Sequence, residues 1–168
     1  MAEPVTGERT AWAHACGVEG PDGLSCLMAQ TARGHRVLLA SLLAEIDLYP
    51  GQDRALHALW DNGPQSQNAL ARILGIDVST MTKMLQRLER SGFVSRSPSP
   101  ANRRVSIVST TPEGDALRPA LDRVEAELLA RMTRGLTPGQ IGTLVSLLAV
   151  VRDNLCPEAA SGADSCSC

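Results

Sequence analysis

Between Ser66 and Arg90 the chain reads SQNALARILGIDVSTMTKMLQRLER. Its second half carries Ser79, Thr80, Thr82, Lys83, Gln86, Arg87 and Arg90 on one side of a predicted helix. Val78, Met81, Met84, Leu85 and Leu88 recur at helical spacing on the other. Hydroxyls, a carboxamide and three cations on one face suit a flat, negatively charged partner. Lysine and arginine neutralise phosphates, while arginine, glutamine, serine and threonine hydrogen-bond to base edges. Further along, Arg96, Arg103 and Arg104 add three more cations within nine positions.

A second set of reactive side chains lies at the chain ends: Cys16, Cys26, Cys156, Cys166 and Cys168. Thiolates form disulfides on oxidation or bind soft metals. The spacing of these five, with His14 nearby, fits no standard zinc pattern. A soft metal or iron–sulfur cluster is the one cofactor class they would admit. The alternative is that they are small apolar residues in a core and a tail. His35 and His57 read as ordinary surface or packed histidines. No phosphate-cradling glycine loop, nucleophile elbow or paired-carboxylate constellation is present, so an enzyme is not expected.

The elements that must position these groups can be read from caps and breakers. Ser66 can cap a short helix with Leu70, Ile73 and Leu74 inward, and Gly75 supplies the left-handed residue that ends it. Asp77 caps the next helix, which Ser91-Gly92 closes. Ala71, Gly75, Met81 and Met84 have the spacing of a helix-turn-helix corner. Phe93–Arg96 and Arg104–Ser109 alternate as strands around a loop from Ser97 to Arg103. A hairpin with arginines at its tip can enter a minor groove while the helix before it occupies the major groove.

Outside this middle, Leu24 to about Asp47 forms a long, broadly apolar helix with Gly34 as a weak point. Pro50 suits the first position of a helix with Leu56, Leu59 and Trp60 inward. Thr111-Pro112-Glu113 starts a helix with a seam of Leu117, Leu121, Val124 and Leu128, kinked or delayed by Pro119. Thr137 and Gln140 make a capping box before a second seam of Ile141, Leu144, Val145, Leu148, Val151 and Leu155. Residues 1–21 read as a mobile arm and 156–168 as a disordered, cysteine-containing tail.

Charge follows the same division. Gly63 to Thr111 holds seven cationic residues against two acidic ones, a net of +5. The remainder holds nine against sixteen, a net of −7, giving the chain its −2. A basic middle with acidic flanks is the footprint of a nucleic-acid reader. No long uncharged apolar run or signal-peptide pattern is present, so neither a membrane span nor export is expected, and the cytoplasm is the default. Structural disulfides are not expected there.

The order helix, helix, helix-turn-helix, winged hairpin, two long amphipathic helices resembles the MarR family of winged-helix transcription regulators. The wording of residues 48–114 carries the likeness: Leu48-Tyr49-Pro50-Gly51-Gln52, Gln67-Asn68-Ala69-Leu70-Ala71, Leu74-Gly75 and Asp77-Val78-Ser79-Thr80-Met81-Thr82. It continues through Leu85-Gln86-Arg87-Leu88-Glu89, Gly92-Phe93-Val94, Pro100-Ala101-Asn102-Arg103-Arg104 and Thr111-Pro112-Glu113-Gly114.

The resemblance implies a mainly α fold with a small β-hairpin, a single domain over residues 22–155. Its DNA-binding lobe would span 48–111, with dimerisation helices in 22–47 and 112–155. It implies a homodimeric repressor on a palindromic operator in double-stranded DNA, with half-sites about 34–36 Å apart. Release would follow binding of a small lipophilic or phenolic ligand, or cysteine oxidation. Ser79, Thr80, Thr82, Lys83, Gln86 and Arg87 match the groove-facing helix, and Ser66, Gln67 and Asn68 the backbone-contacting helix start. Arg104 matches the arginine of the Asp-x-Arg wing motif, whose acid is here Asn102. An amide orients that arginine more weakly than a carboxylate.

Cys26, in Ser25-Cys26-Leu27-Met28-Ala29-Gln30, resembles the reactive cysteine of the family's hydroperoxide repressors, with Gln30 where they carry tyrosine. Its oxidised partner would be Cys156 or a tail cysteine. Two other readings stay open: a metal- or iron–sulfur-responsive regulator of the same fold, and a winged-helix protein-interaction module.

Overall fold

The structure is a computed structural model in which residues 23–102 and 105–155 are described. The elements run α1 (Leu24–Ala44), α2 (Gln52–Asn62), β1 (Gln65–Ser66), α3 (Gln67–Leu74), α4 (Val78–Arg90), β2 (Val94–Pro98) and β3 (Ser106–Thr110). Then come α5 (Pro112–Ala116), α6 (Arg118–Met132) and α7 (Pro138–Leu155). The chain divides into two compact units at Leu39 and Ala40, where the sequence suggests a single domain from residue 22. Gly34 leaves the first helix unbroken.

The second unit is built on the predicted caps. Ser66 Oγ accepts from the Ala69 amide at 3.2 Å, and Gly75 takes the left-handed conformation (φ 64°) that ends α3. Thr137 and Gln140 close their capping box in both directions, Gln140 Oε1 accepting from the Thr137 amide at 2.8 Å and Thr137 Oγ1 from the Gln140 amide at 3.3 Å. The helix expected from Pro112 breaks at Leu117 into α5 and α6, with Pro119 in the first turn of α6. Proline has no amide to donate there, and the first turn needs none.

The helix-turn-helix and hairpin enclose one core. Leu56, Leu59, Leu70, Leu74, Met81, Leu85, Leu88, Val94, Val108 and Leu121 are buried in it. Hairpin strands β2 and β3 pair antiparallel from Val94↔Thr110 to Pro98↔Ser106. A third strand that the sequence does not announce, β1, pairs with β3 on the other side at Gln65↔Val108 and Ser66↔Ile107.

Several boundaries differ from expectation. β2 runs two residues past Arg96, and β3 begins at Ser106 rather than Arg104. α2 starts at Gln52, because Tyr49, Pro50 and Gly51 form a turn closed by the Gln52 amide on the Tyr49 carbonyl at 3.0 Å. Ile73 and Val78, expected inside, are exposed. In the eight-residue α3 the inward stripe is already filled by Leu70, Ala71 and Leu74, and Val78 opens α4 before that helix reaches the core. No described helix is long and apolar enough to cross a membrane.

Candidate nucleic-acid interface

Helix α4 is fixed at its start by Asp77. Its Oδ1 accepts from the Thr80 amide at 2.8 Å and from the Ser79 hydroxyl, and its Oδ2 from the Thr80 hydroxyl at 2.6 Å. Those hydroxyl bonds, followed by the backbone ones, hold the carboxyl well below the usual carboxylate range, so the cap is ionised at neutral pH. The negative charge sits where the helix dipole favours it. It also occupies the hydroxyl protons of Ser79 and Thr80 in the free protein.

From that cap the helix presents two faces. Met81, Leu85 and Leu88 are fully buried and Met84 is half-buried, so the apolar face is seated on α2 and α3. Ser79, Lys83, Gln86 and Arg90 form an exposed stripe at intervals of four, three and four residues, flanked by exposed Thr80 and Arg87. Arg87 stacks its guanidinium 5.3 Å from the centre of the Tyr49 ring. Tyr49, Pro50, Gln52, Thr80, Lys83, Met84 and Arg87 line a cleft of about 250 Å³ beside this stripe.

The start of α3 lies close by. Ser66, Gln67 and Asn68, with Val105 and Ser106, line a shallow cleft of about 210 Å³. Asn68 is exposed, while Ser66 is spent on its cap and Gln67 on side-chain partners. Thr82, expected on the open face, is half-buried and donates its hydroxyl to the Val78 carbonyl at 2.7 Å. Arg96 points into the lobe, its side chain only 20% exposed beside Glu89. Arg103 and Arg104, the wing-tip cations, lie outside the described residues. The loop around them is closed by the Ser99 amide on the Val105 carbonyl and the Val105 amide on the Asn102 carbonyl, each at 2.8 Å.

An exposed basic stripe on a capped second helix, with a β-hairpin directly after it, is the architecture of winged-helix regulators. A family model described as the MarR family matches residues 48–106, the segment holding every element of this interface except the end of the hairpin. The HTH-type transcriptional repressor IacR of Pseudomonas putida is 35% identical over 114 residues, 68% of each chain. The chain belongs to the MarR family. The multiple antibiotic resistance protein MarR of Salmonella typhimurium is 30% identical over 112 residues, covering 66% of this chain and 78% of that one. Among solved structures, a cysteine-to-serine mutant of MarR from E. coli complexed with operator DNA superposes with a TM-score of 0.69 at 25% identity. The match covers 84% of this chain and 97% of that one. MarR-family proteins are winged-helix transcription regulators rather than enzymes, as the lack of catalytic motifs in the sequence leads one to expect.

Of the five cysteines of this MarR-family chain, Cys16, Cys156, Cys166 and Cys168 lie outside the described residues. Cys26, on α1, is disulfide-bonded. Gln30, in the position of the tyrosine, donates its amide to Cys26 Sγ at 3.2 Å. Among the described residues no group of three or more His, Cys, Asp or Glu side chains is disposed to hold a metal ion.

Sequence reasoning missed three features here. Tyr49 under Arg87 and the tie between Arg96 and Gln67 join residues far apart in the chain, for which no local pattern exists. The inward turn of Arg96 did have a signal: on a strand it shares the face of buried Val94, two residues before it.

Proposed function

We propose that this chain is a sequence-specific DNA-binding transcription regulator, a homodimeric repressor whose α4 helices enter successive major grooves of a palindromic operator. The observation that carries the reading is the exposed stripe Ser79, Lys83, Gln86 and Arg90 on a helix whose opposite face seats Met81, Leu85 and Leu88 in the core. Such a helix is rigid enough to read base edges, and its cations supply the salt-dependent part of the affinity. The operator-bound relative supports it. Asn68 and the start of α3 suit a phosphate contact, and Arg103 and Arg104 a minor-groove one. A protein-interaction module would have no need of this cationic face.

For release, two routes have support. The cleft between Tyr49 and α4 combines an aromatic face, a methionine and the cations Lys83 and Arg87, a chemistry suited to a small phenolic ligand. An occupant there would lie against the DNA-reading stripe. The second route is oxidation at Cys26: two thiols give up two protons and two electrons to a peroxide, which is reduced to two waters, or to an alcohol and a water if it is organic, and a disulfide forms. The disulfide at Cys26 is the product that such an oxidation would leave.

The test is binding to DNA upstream of its own gene, titrated at several salt concentrations. A specific complex is expected, with a dissociation constant on the order of 10⁻⁸ M or tighter and a steep loss of affinity with salt. Lys83→Gln should reduce the salt slope by about 1. Equal binding to unrelated DNA, with no salt dependence, would overturn the reading. Peroxide should release DNA from the wild type and not from Cys26→Ser; release from both would remove the redox route.

A further inference from the structure

Arg96 looks by position like a DNA contact, a cation on the wing strand two residues from the hairpin loop. Its geometry says otherwise. The side chain shares the buried face of β2 with Val94 and is 20% exposed. Nε lies 3.2 Å from Glu89 Oε2, near the end of α4. Nη1 donates to Gln67 Oε1 at 3.4 Å, at the start of α3. Nε and Nη2 are closed off from solvent, and neither has a hydrogen-bond partner among the described residues. The carboxamide of Gln67 continues the chain, donating from Nε2 to Thr82 Oγ1 at 2.6 Å, and Thr82 in turn donates to the Val78 carbonyl.

The series Glu89, Arg96, Gln67, Thr82 therefore fastens the recognition helix at two points, one in its first turns and one in its last. It ties both to the wing strand and to the start of α3. A guanidinium can do this because its planar, delocalised charge reaches Glu89 through Nε as an ion pair while Nη1 donates to Gln67; an ammonium is a single point charge. Moving Arg96 out to a phosphate would release Glu89 and the Gln67 carboxamide oxygen, leaving the Gln67–Thr82 bond with no tie to the wing strand.

We propose that Arg96 is a positioning residue that sets the angle between the recognition helix and the wing, with Glu89 and Gln67 as its anchors, and that it does not touch DNA. The proposal rests on the DNA-binding reading of this site and assigns Arg96, Gln67 and Thr82 to the support behind the reading face. A protein that reads two grooves at once binds its operator well only if helix and wing keep a fixed spacing, so this network tunes specificity more than charge.

The two roles predict opposite responses. If Arg96 positions, Arg96→Gln, Arg96→Lys and Glu89→Gln should each weaken the specific complex about tenfold, and the Arg96→Gln/Glu89→Gln double variant should be no worse than the poorer single. Salt slope and non-specific affinity should stay at wild-type values. If Arg96 contacts a phosphate, Arg96→Lys should bind nearly as wild type, Arg96→Gln should lower the salt slope by about 1 and Glu89→Gln should bind as tightly as wild type or tighter. That outcome overturns the proposal while leaving the DNA-binding reading intact. A thermal-unfolding cycle of the same variants without DNA gives a second measure. Coupling between Arg96 and Glu89 is expected there too, and strict additivity overturns the network whether or not DNA binds.

Discussion

Gly114 shows how closely single residues bind the winged lobe to the helix after it. It lies in the first turn of α5, buried, and a Cβ placed on it would stand 2.0 Å from the Phe93 carbonyl oxygen. That oxygen accepts from the Thr111 amide at 3.1 Å. Thr111 Oγ1 donates to the Gly92 carbonyl at 2.6 Å and accepts from the Gly114 amide at 3.0 Å. The backbone before β2 and the backbone opening α5 are thus bonded on both sides of the point where a methyl group would sit, and neither can retreat without losing a bond. Gly114→Ala is expected to lower stability by about 2–3 kcal/mol, the upper part of the range for overpacking a core. Denaturant unfolding would read this as a lower midpoint at unchanged slope, with exposed Glu113→Ala as the control. A midpoint equal to wild type would mean that the Phe93 carbonyl yields, and that the joint is softer than its hydrogen bonds indicate.

Between elements, the joint of α2 with α5 and α6 centres on one indole. Trp60 Nε1 donates to Asp115 Oδ1 at 3.0 Å, the Arg118 guanidinium lies 4.9 Å from the centre of its ring, and His57 meets it edge-on at 5.2 Å. One turn below, His57 Nε2 is 2.7 Å from Glu125 Oε1. Trp60→Phe keeps an aromatic face for Arg118 and removes only the N–H. It should lower stability by about 1 kcal/mol, and a cycle with Asp115→Ala should return a coupling of about 0.5–1 kcal/mol; zero coupling would show that the contact contributes packing alone. This joint also marks what the sequence can and cannot say. The caps at Ser66, Asp77, Thr111 and Thr137 were legible because each cap and its partner stand three residues apart and need no tertiary context. Trp60 and Asp115 are 55 residues apart, Arg96 and Gln67 are 29, and only packing brings them together. Strand β1 exists solely through its pairing with β3, so two residues of glutamine and serine could not announce it. The inward turn of Arg96 follows the period of its strand, which its charge alone does not disclose.

At the scale of the molecule, the least satisfied feature is α7. None of its residues is buried, yet Leu144, Val145, Leu147, Leu148, Val150 and Leu155 are large and apolar, each at least 45% exposed. In the first unit Leu24, Leu27 and Val37 are exposed as well. A helix apolar on most sides is stable only when covered, and soluble monomers seldom leave such a surface open to water. A second copy of the chain supplies the cover in the proposed homodimer, with an interface of the apolar, obligate kind. Replacing Leu148 by glutamate would place a charge in the middle of that contact, where burial without a partner is strongly unfavourable. Sedimentation of Leu148→Glu is expected to show monomer at concentrations where the wild type is dimer, while the winged lobe keeps its cooperative unfolding. Operator affinity should fall about 100-fold or more, because two lobes joined by the dimer bind two half-sites as one event and separated lobes do not. Monomeric wild-type protein at the concentrations that give a specific complex would refute the dimer. A dimeric Leu148→Glu with full affinity would move the interface off this face of α7.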